Sequence, residues 1–207
     1  MFGGYRRACG IAGCLLVAAA PASGCGGQTA TTTSAAVANA RTRRDAFVAF
    51  YDAWAAAVPA RKASLQAALR LRAAVTSSTP SLGAARHALG EYLASARTCR
   101  HLMEALPAAN AELAAVRTKY VRAAQGESQF VKDYGDVMSA AAKGRPYTKL
   151  AARAEAAKSA YLAMNDEAAG ELEAVARRLG GLRAFGGRID TNALKQLADS
   201  MRQEAAQ

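Results

Sequence analysis

The stretch LGAARHALGEYLASARTCRHLMEAL, residues 82–106, decides the fold of this chain. Because an α-helix turns once every 3.6 residues, side chains at alternating steps of three and four residues lie along one face. Residues 82–106 are therefore predicted to form a helix that packs against neighbouring helices along a coiled-coil-like seam. The seam residues are Leu82, Ala85, Leu89, Tyr92, Ala96, Cys99, Met103 and Leu106.

The same period continues on both sides of this stretch. One further seam runs from Leu113 to Ala141, and another from Tyr147 to Leu179. The composition agrees, because 55 of the 207 residues are alanine and only 6% are aromatic, which favours helices over a β-sandwich or barrel. The first helix is predicted to bury a seam made of Phe47, Phe50, Trp54, Val58, Leu65, Leu69 and Val75.

Helix-breaking residues set the number of helices. Thr79-Pro80 is read as a helix start, and Gly144 followed by Pro146 as a stop and a restart. We interpret Pro59 as a kink and Pro107 as a turn, which gives an all-α, elongated antiparallel four-helix bundle with helices of about 35, 25, 35 and 34 residues. A three-helix bundle with one long kinked central helix from Ser81 to Lys143 is the alternative, because the seam runs through Pro107 in phase.

The N-terminus reads as a secretory signal peptide, residues 1–24. Arg6 and Arg7 form a positive head, residues 8–20 are apolar, and small residues follow Pro21. An apolar run of about 13 residues is short for a membrane-spanning helix, which needs roughly 20. The protein is therefore predicted to be exported.

The residues Ala22-Ser23-Gly24-Cys25 resemble the lipobox of bacterial lipoproteins, in which small residues precede a cysteine that is diacylated, exposed by cleavage and often N-acylated. The resemblance covers this segment alone, and Ala22 stands where the family usually has leucine. It implies that Cys25 is lipidated and anchors the protein to the cell membrane. Because Gly26 rather than aspartate follows, it implies the outer membrane in a host with two. Cleavage after Ala22, which would release a soluble secreted protein, and an uncleaved anchor are the alternatives.

The rest of the chain divides into three parts. Residues 25–40 are predicted to be the lipidated cysteine and a flexible tether, because they are small, uncharged and without apolar periodicity. Residues 41–180 form the helical bundle. Residues 181–207 are predicted to be a Gly-rich loop and a short C-terminal helix over 191–204.

The chain is basic, with a net charge of +11. Without Arg6 and Arg7 the mature protein has a net charge of +9, and the segment from Arg41 to Arg100 accounts for +7 of it. In an exported protein this charge would face anionic lipids or wall polymers rather than nucleic acid. Arg41, Arg43 and Arg44, at the end of the tether, are the candidate contacts with such an anionic surface. The alternative is a solvated basic face that keeps the bundle soluble.

Few residues suggest chemistry. His87 and His101 lie about 21 Å apart along one helix, so they cannot share a metal ion and are interpreted as surface residues. Glu127 interrupts a seam and is interpreted as lying at the bundle edge, where it reaches water or an arginine. Cys99 is expected to be a buried free thiol. Five tyrosines are expected to fill the core: Tyr92, Tyr120, Tyr134, Tyr147 and Tyr161.

The sequence therefore predicts no catalytic residues, no metal site and no cofactor. We expect a lipid-anchored envelope lipoprotein whose bundle is a non-catalytic binding, interaction or spacer module, and whose partners include an envelope protein. The alternative is a carrier that holds a small apolar molecule or a metal in the bundle interior, among the tyrosines.

Overall fold

The structure, a computed structural model, describes residues 28–77, 79, 81–180 and 199. Four α-helices follow one another: α1 covers Gln28–Thr76, α2 Leu82–Glu104, α3 Ala111–Ala142 and α4 Thr148–Arg178. They pack against one another, and the described residues include no strand, so the predicted four-helix bundle is confirmed. Within that part of the chain, no helix has both the length and the apolar character that crossing a bilayer requires.

The chain divides into two compact units, Met1–Val37 and Ala38–Gln207. The first unit is described over residues 28–37 alone, and these are helical. Helix α1 thus includes residues 28–40, where the sequence suggested a flexible tether. The physical reason is that no glycine or proline occurs between Gln28 and Val58, and the alanines in this stretch favour the helix.

Pro107 is a turn, as predicted, and the three-helix alternative is wrong. Helix α2 ends at Glu104 and α3 begins at Ala111. The Asn110 side chain caps α3 by accepting a 2.9 Å hydrogen bond from the Leu113 backbone N–H. Pro59, by contrast, lies inside α1 on its exposed side, where the helix continues through it.

The α1–α2 and α3–α4 connections lie close to the positions predicted from Thr79-Pro80 and from Gly144 and Pro146. Helix α2 is capped by Ser81, whose hydroxyl accepts from the Ala84 backbone N–H, so the helix starts after Thr79-Pro80 rather than at it. Gly144 adopts a positive φ of 63° directly after the cap of α3, a conformation that glycine takes without steric cost.

The buried face of α1 differs from the predicted seam beyond Trp54. Leu69 and Val75 are exposed, by 45% and 36%, although both were predicted to be buried. The helix keeps its own period and buries smaller and polar residues in their place, because position along the helix, and not residue size, decides which face a side chain occupies. The buried residues in this half of α1 are Ala57, Arg61, Ser64, Ala67 and Leu71.

Two apolar clusters mark the two ends of the bundle. One unites Phe47 and Phe50 of α1 with Leu106, Leu113 and Leu172. The other unites Leu71 of α1 with Ala88 of α2 and Val131 of α3. The α1–α2 and α3–α4 connections therefore lie at one end, and the α2–α3 connection lies at the opposite end with the last turns of α4.

Candidate functional site

A buried ion pair lies between the two apolar clusters. The Arg61 Nη1 atom of α1 donates to the Glu127 Oε2 atom of α3 over 2.9 Å. Arg61 is 7% exposed and Glu127 4% exposed. Glu127 thus meets an arginine, as expected, but it lies in the core and not at the bundle edge.

The remaining polar atoms of this pair bind to the other helices. Arg61 Nη2 donates to Asn165 Oδ1 of α4 at 2.6 Å. Glu127 Oε1 accepts from the Ser64 hydroxyl at 3.0 Å and lies 3.5 Å from the Tyr92 hydroxyl of α2. Every helix of the bundle therefore supplies a group to one network, which we call the Arg61–Glu127 network (Arg61, Ser64, Tyr92, Glu127, Asn165).

The electrostatics of the site keep the Arg61 guanidinium charged. Burial is the largest influence and acts to lower the pKa of Arg61, but Glu127, together with the smaller contributions of Cys99, Tyr161 and Tyr92, raises it above its ordinary value. Both carboxylate oxygens and both terminal guanidinium nitrogens already have partners inside the protein. The arrangement is suited to fixing the relative positions of four helices, since a misplaced helix would leave a buried charge without its partner.

Cys99 lies beside this network as a buried free thiol, as expected. Burial raises the pKa of Cys99 to about 11, with Glu127 acting in the same direction and Arg61 opposing both. Because the native pKa is the higher one, the thiol's contribution to stability is present below pH about 9 and is lost as the pH rises through about 11.

The Cys99 thiol should therefore react slowly with iodoacetamide in the native protein. At pH 8 the raised pKa alone makes the reactive thiolate about a hundredfold scarcer than in the unfolded chain, and burial blocks access further. Mass spectrometry of alkylated Cys99 over time, with the same chain in urea as control, measures the two rates. Equal rates in the two conditions would show that the thiol is not protected.

Aromatic rings fill the interior around the network. Phe130 lies 5.9 Å from Tyr161 and 6.4 Å from Tyr92, and Trp54 lies 6.4 Å from Tyr120, between ring centroids. Of the five tyrosines predicted to fill the core, Tyr92, Tyr120 and Tyr161 are buried and Tyr134 is half-buried. Tyr147 is 48% exposed, contrary to prediction, because it precedes α4 as its N-cap and its side chain lies outside the helical period.

The three arginines predicted to meet an anionic surface differ in their surroundings. Arg41 is exposed. Arg43 pairs with Glu112 at 2.8 Å, and this hydrogen bond is the main reason why the pKa of Glu112 is lowered. Arg44 donates to the Leu179 backbone carbonyl at 3.2 Å. Two of the three therefore hold α1 to the rest of the bundle.

Other predicted residues do not come together. His87 and His101 are on the surface, as expected, with side chains 80% and 69% exposed. Across the described part of the chain, no three histidine, cysteine or carboxylate groups are placed to hold a metal ion. Cys25, the Gly-rich loop from Gly181 and the C-terminal helix over 191–204 lie outside the described residues, apart from Asp199, which is helical.

A surface groove of about 570 Å³ lies between α2 and α3. Leu89 and Leu93 form its apolar wall, and Lys132 and Asp136 are charged residues of its lining. Arg153 crosses it to bind Asp133 at 2.7 Å and Asp136 at 2.9 Å. No tyrosine of the described part of the chain lines the groove, although Leu89 and Leu93 belong to the same apolar cluster as Tyr92 and Tyr134.

Sequence reasoning missed Arg61, Ser64 and Asn165. Steps of three and four residues from Trp54 reach positions 57, 61 and 64, so the helical period alone indicates that Arg61 and Ser64 face the interior. No signal of this kind links them to Asn165, since the period of one helix does not indicate its contacts with another helix.

No protein-family model, curated protein or solved structure matches this chain.

Proposed function

We propose that this protein is an exported lipoprotein, anchored through lipid on Cys25, whose helical bundle is a non-catalytic interaction or spacer module. The observation that carries the anchor is the segment Ala22-Ser23-Gly24-Cys25 directly behind a short apolar run with a positive head. The lipid holds the bundle on the outer face of the cell membrane, or on the outer membrane of a host that has two.

The interior of the bundle supports a module over a carrier. Arg61 and Glu127, the charges nearest the centre, are engaged with each other and with Ser64 and Asn165. The tyrosines that a carrier would use are packed against other rings, such as Tyr161 against Phe130. The Tyr120 hydroxyl is buried without a hydrogen-bond partner among the described residues, but the atoms of the Arg61–Glu127 network are satisfied by one another, and this favours a structural role for the core.

The dimensions of the bundle suit a spacer or a display scaffold. Helix α3 has 32 residues, which corresponds to ~48 Å at 1.5 Å per residue. Binding to other envelope components would then fall to the outer surface of the helices and to the two ends of the bundle.

Metabolic labelling with an alkyne fatty acid tests the anchor. The wild-type protein, expressed in bacteria that process lipoproteins, should be labelled, and Cys25→Ser should lose the label, because an acyl chain needs the thiol of the mature N-terminal residue. In-gel fluorescence after conjugation of the alkyne measures the difference.

Cys99→Ser is the matched control and should keep full labelling, because that thiol is buried in the folded bundle. Membrane fractionation adds a second readout, in which wild type should sediment with membranes and Cys25→Ser should become soluble or retain its signal peptide. Equal labelling of wild type and Cys25→Ser would disprove lipidation at this residue.

A further inference from the structure

Exposed apolar side chains are concentrated at one end of the bundle. Six large hydrophobic side chains are exposed in the described part of the chain, and four of them lie near the α1–α2 and α3–α4 connections. Tyr147 is 48% and Leu82 43% exposed, and Leu69 and Val75 accompany them. Isolated apolar residues on a surface are ordinary, but a group of them at one end marks a contact surface.

The same end is basic and contains no carboxylate in its connections. The sequence has no aspartate or glutamate from position 53 to 90, nor from 137 to 154. Only the fold brings these two segments together, because their connections lie at the same end. We call this surface the basic end; its exposed basic residues are Arg72, Arg86, Lys143, Arg145 and Lys149.

Most of this charge is not neutralised within the bundle. Among the described residues, Arg86, Lys143, Arg145 and Lys149 form no ion pair. The opposite end differs, since Glu112 there binds both Arg43 at 2.8 Å and Arg178 at 3.4 Å. At the basic end, by contrast, the connections contain no carboxylate that offsets these four charges, so a positive potential is expected there.

We infer that the basic end docks onto the surface of a bilayer that contains anionic phospholipids. Lysine and arginine near such a surface are attracted to headgroup phosphates, and half-exposed tyrosine, leucine and valine side chains enter the headgroup region. Charge complementarity selects an anionic partner. The apolar side chains among the charges select a bilayer over a soluble polyanion, because a polyanion offers them no apolar phase.

The docking surface consists of residues of the Ala38–Gln207 unit alone, and within this unit the end at which Arg43 binds Glu112 lies opposite to it. A bundle ~48 Å long separates that end from the basic end. The inference therefore does not require acylation of Cys25, and a failure of either proposal leaves the other standing.

Sedimentation with vesicles tests the docking. The protein is the chain from residue 25 onward with Cys25→Ser, which keeps the whole Ala38–Gln207 unit and with it every buried residue described. It should bind vesicles of 30% phosphatidylglycerol in phosphatidylcholine, fail to bind pure phosphatidylcholine, and bind less at high salt. Replacing Lys143 and Arg145 together with alanine should weaken binding roughly thirtyfold.

Matched variants show whether vesicle binding depends on the position of the positive charges or only on the net charge of the protein. Arg97→Ala with Arg122→Ala removes the same charge from exposed positions along α2 and α3, and it should change binding less than threefold. Tyr147→Ser should weaken binding about tenfold, whereas Leu102→Ser, at an exposed position away from the basic end, should not. Unchanged helicity by circular dichroism shows that each variant is folded.

Three outcomes would overturn the inference. Absence of binding to the phosphatidylglycerol vesicles at low salt is the first. Equal losses for the Lys143/Arg145 pair and the Arg97/Arg122 pair would be the second, since binding would then follow total charge. Binding that Tyr147→Ser leaves intact and that inorganic polyphosphate abolishes would be the third, since it assigns the basic end to a soluble polyanion.

Discussion

Replacing Arg61 with methionine should lower the free energy of unfolding by about 3–5 kcal/mol. The substitution leaves the Glu127 carboxyl group 4% exposed and without the guanidinium that now lies 2.9 Å from it. It also removes the donor to Asn165. Urea denaturation followed by circular dichroism at 222 nm measures the loss.

Two control variants show whether the cost comes from the unpaired charge. Arg61→Met with Glu127→Leu should recover most of the lost stability, because apolar pairs of similar volume often replace a buried ion pair at little cost. Arg43→Met removes an ion pair to Glu112 from the surface, where Arg43 is 49% exposed, and should cost less than about 1 kcal/mol. If Arg61→Met lowered the free energy of unfolding no more than Arg43→Met does, the guanidinium of Arg61 would not be needed to stabilise the buried Glu127 carboxyl group.

Gly126→Ala should destabilise the protein by about 1–2 kcal/mol, although alanine is normally the better helix former. A Cβ atom at Gly126 would lie 2.8 Å from the Tyr161 Cβ atom and 3.5 Å from its Cα atom. The contacting atoms belong to the α4 backbone and the base of a side chain, so they cannot rotate away. Helices α3 and α4 would have to separate next to Glu127 and its network.

Gly170→Ala is the matched control on the same pair of helices. A Cβ atom there meets no other atom within 4 Å, so the substitution should stabilise the protein by about 0.5–1 kcal/mol through helix propensity alone. Thermal unfolding of both variants measures whether each substitution lowers or raises the melting temperature. A gain in melting temperature for Gly126→Ala would contradict the close approach of α3 and α4 at this position.

The helices could be predicted from the sequence because the signals that define them involve residues close together in the chain. The predicted seam from Leu82 to Leu106 is buried from Ala85 onward, apart from a partly exposed Leu89, but its first residue, Leu82, is 43% exposed. The turn at Pro107 and the Asn110 cap depend on side chains that act on their own backbone. Such features involve residues a few positions apart, so a single sequence displays them.

Prediction was weaker where small or charged residues occupy the interior. In α1 the large residues Leu69 and Val75 suggested a seam, yet Ala67 and Leu71 are the buried ones. The positive charge between Arg41 and Arg100, which was expected to face an anionic surface, includes Arg61, although this residue is 7% exposed. The helical period of α1 places Arg61 on the buried face, but it does not indicate the partner, Glu127, which lies 66 positions along the chain.

By itself, the sequence determined that the chain is helical and where three of its helices end, and it contains the segment, residues 1–25, from which we propose export and lipidation at Cys25. The tertiary structure alone decided that Arg61, Glu127 and Asn165 share one buried network, and that the α1–α2 and α3–α4 connections combine into one basic end. The reason is physical: helical period and caps arise from neighbours in the chain, whereas ion pairs and surface charge arise from residues that only packing brings together.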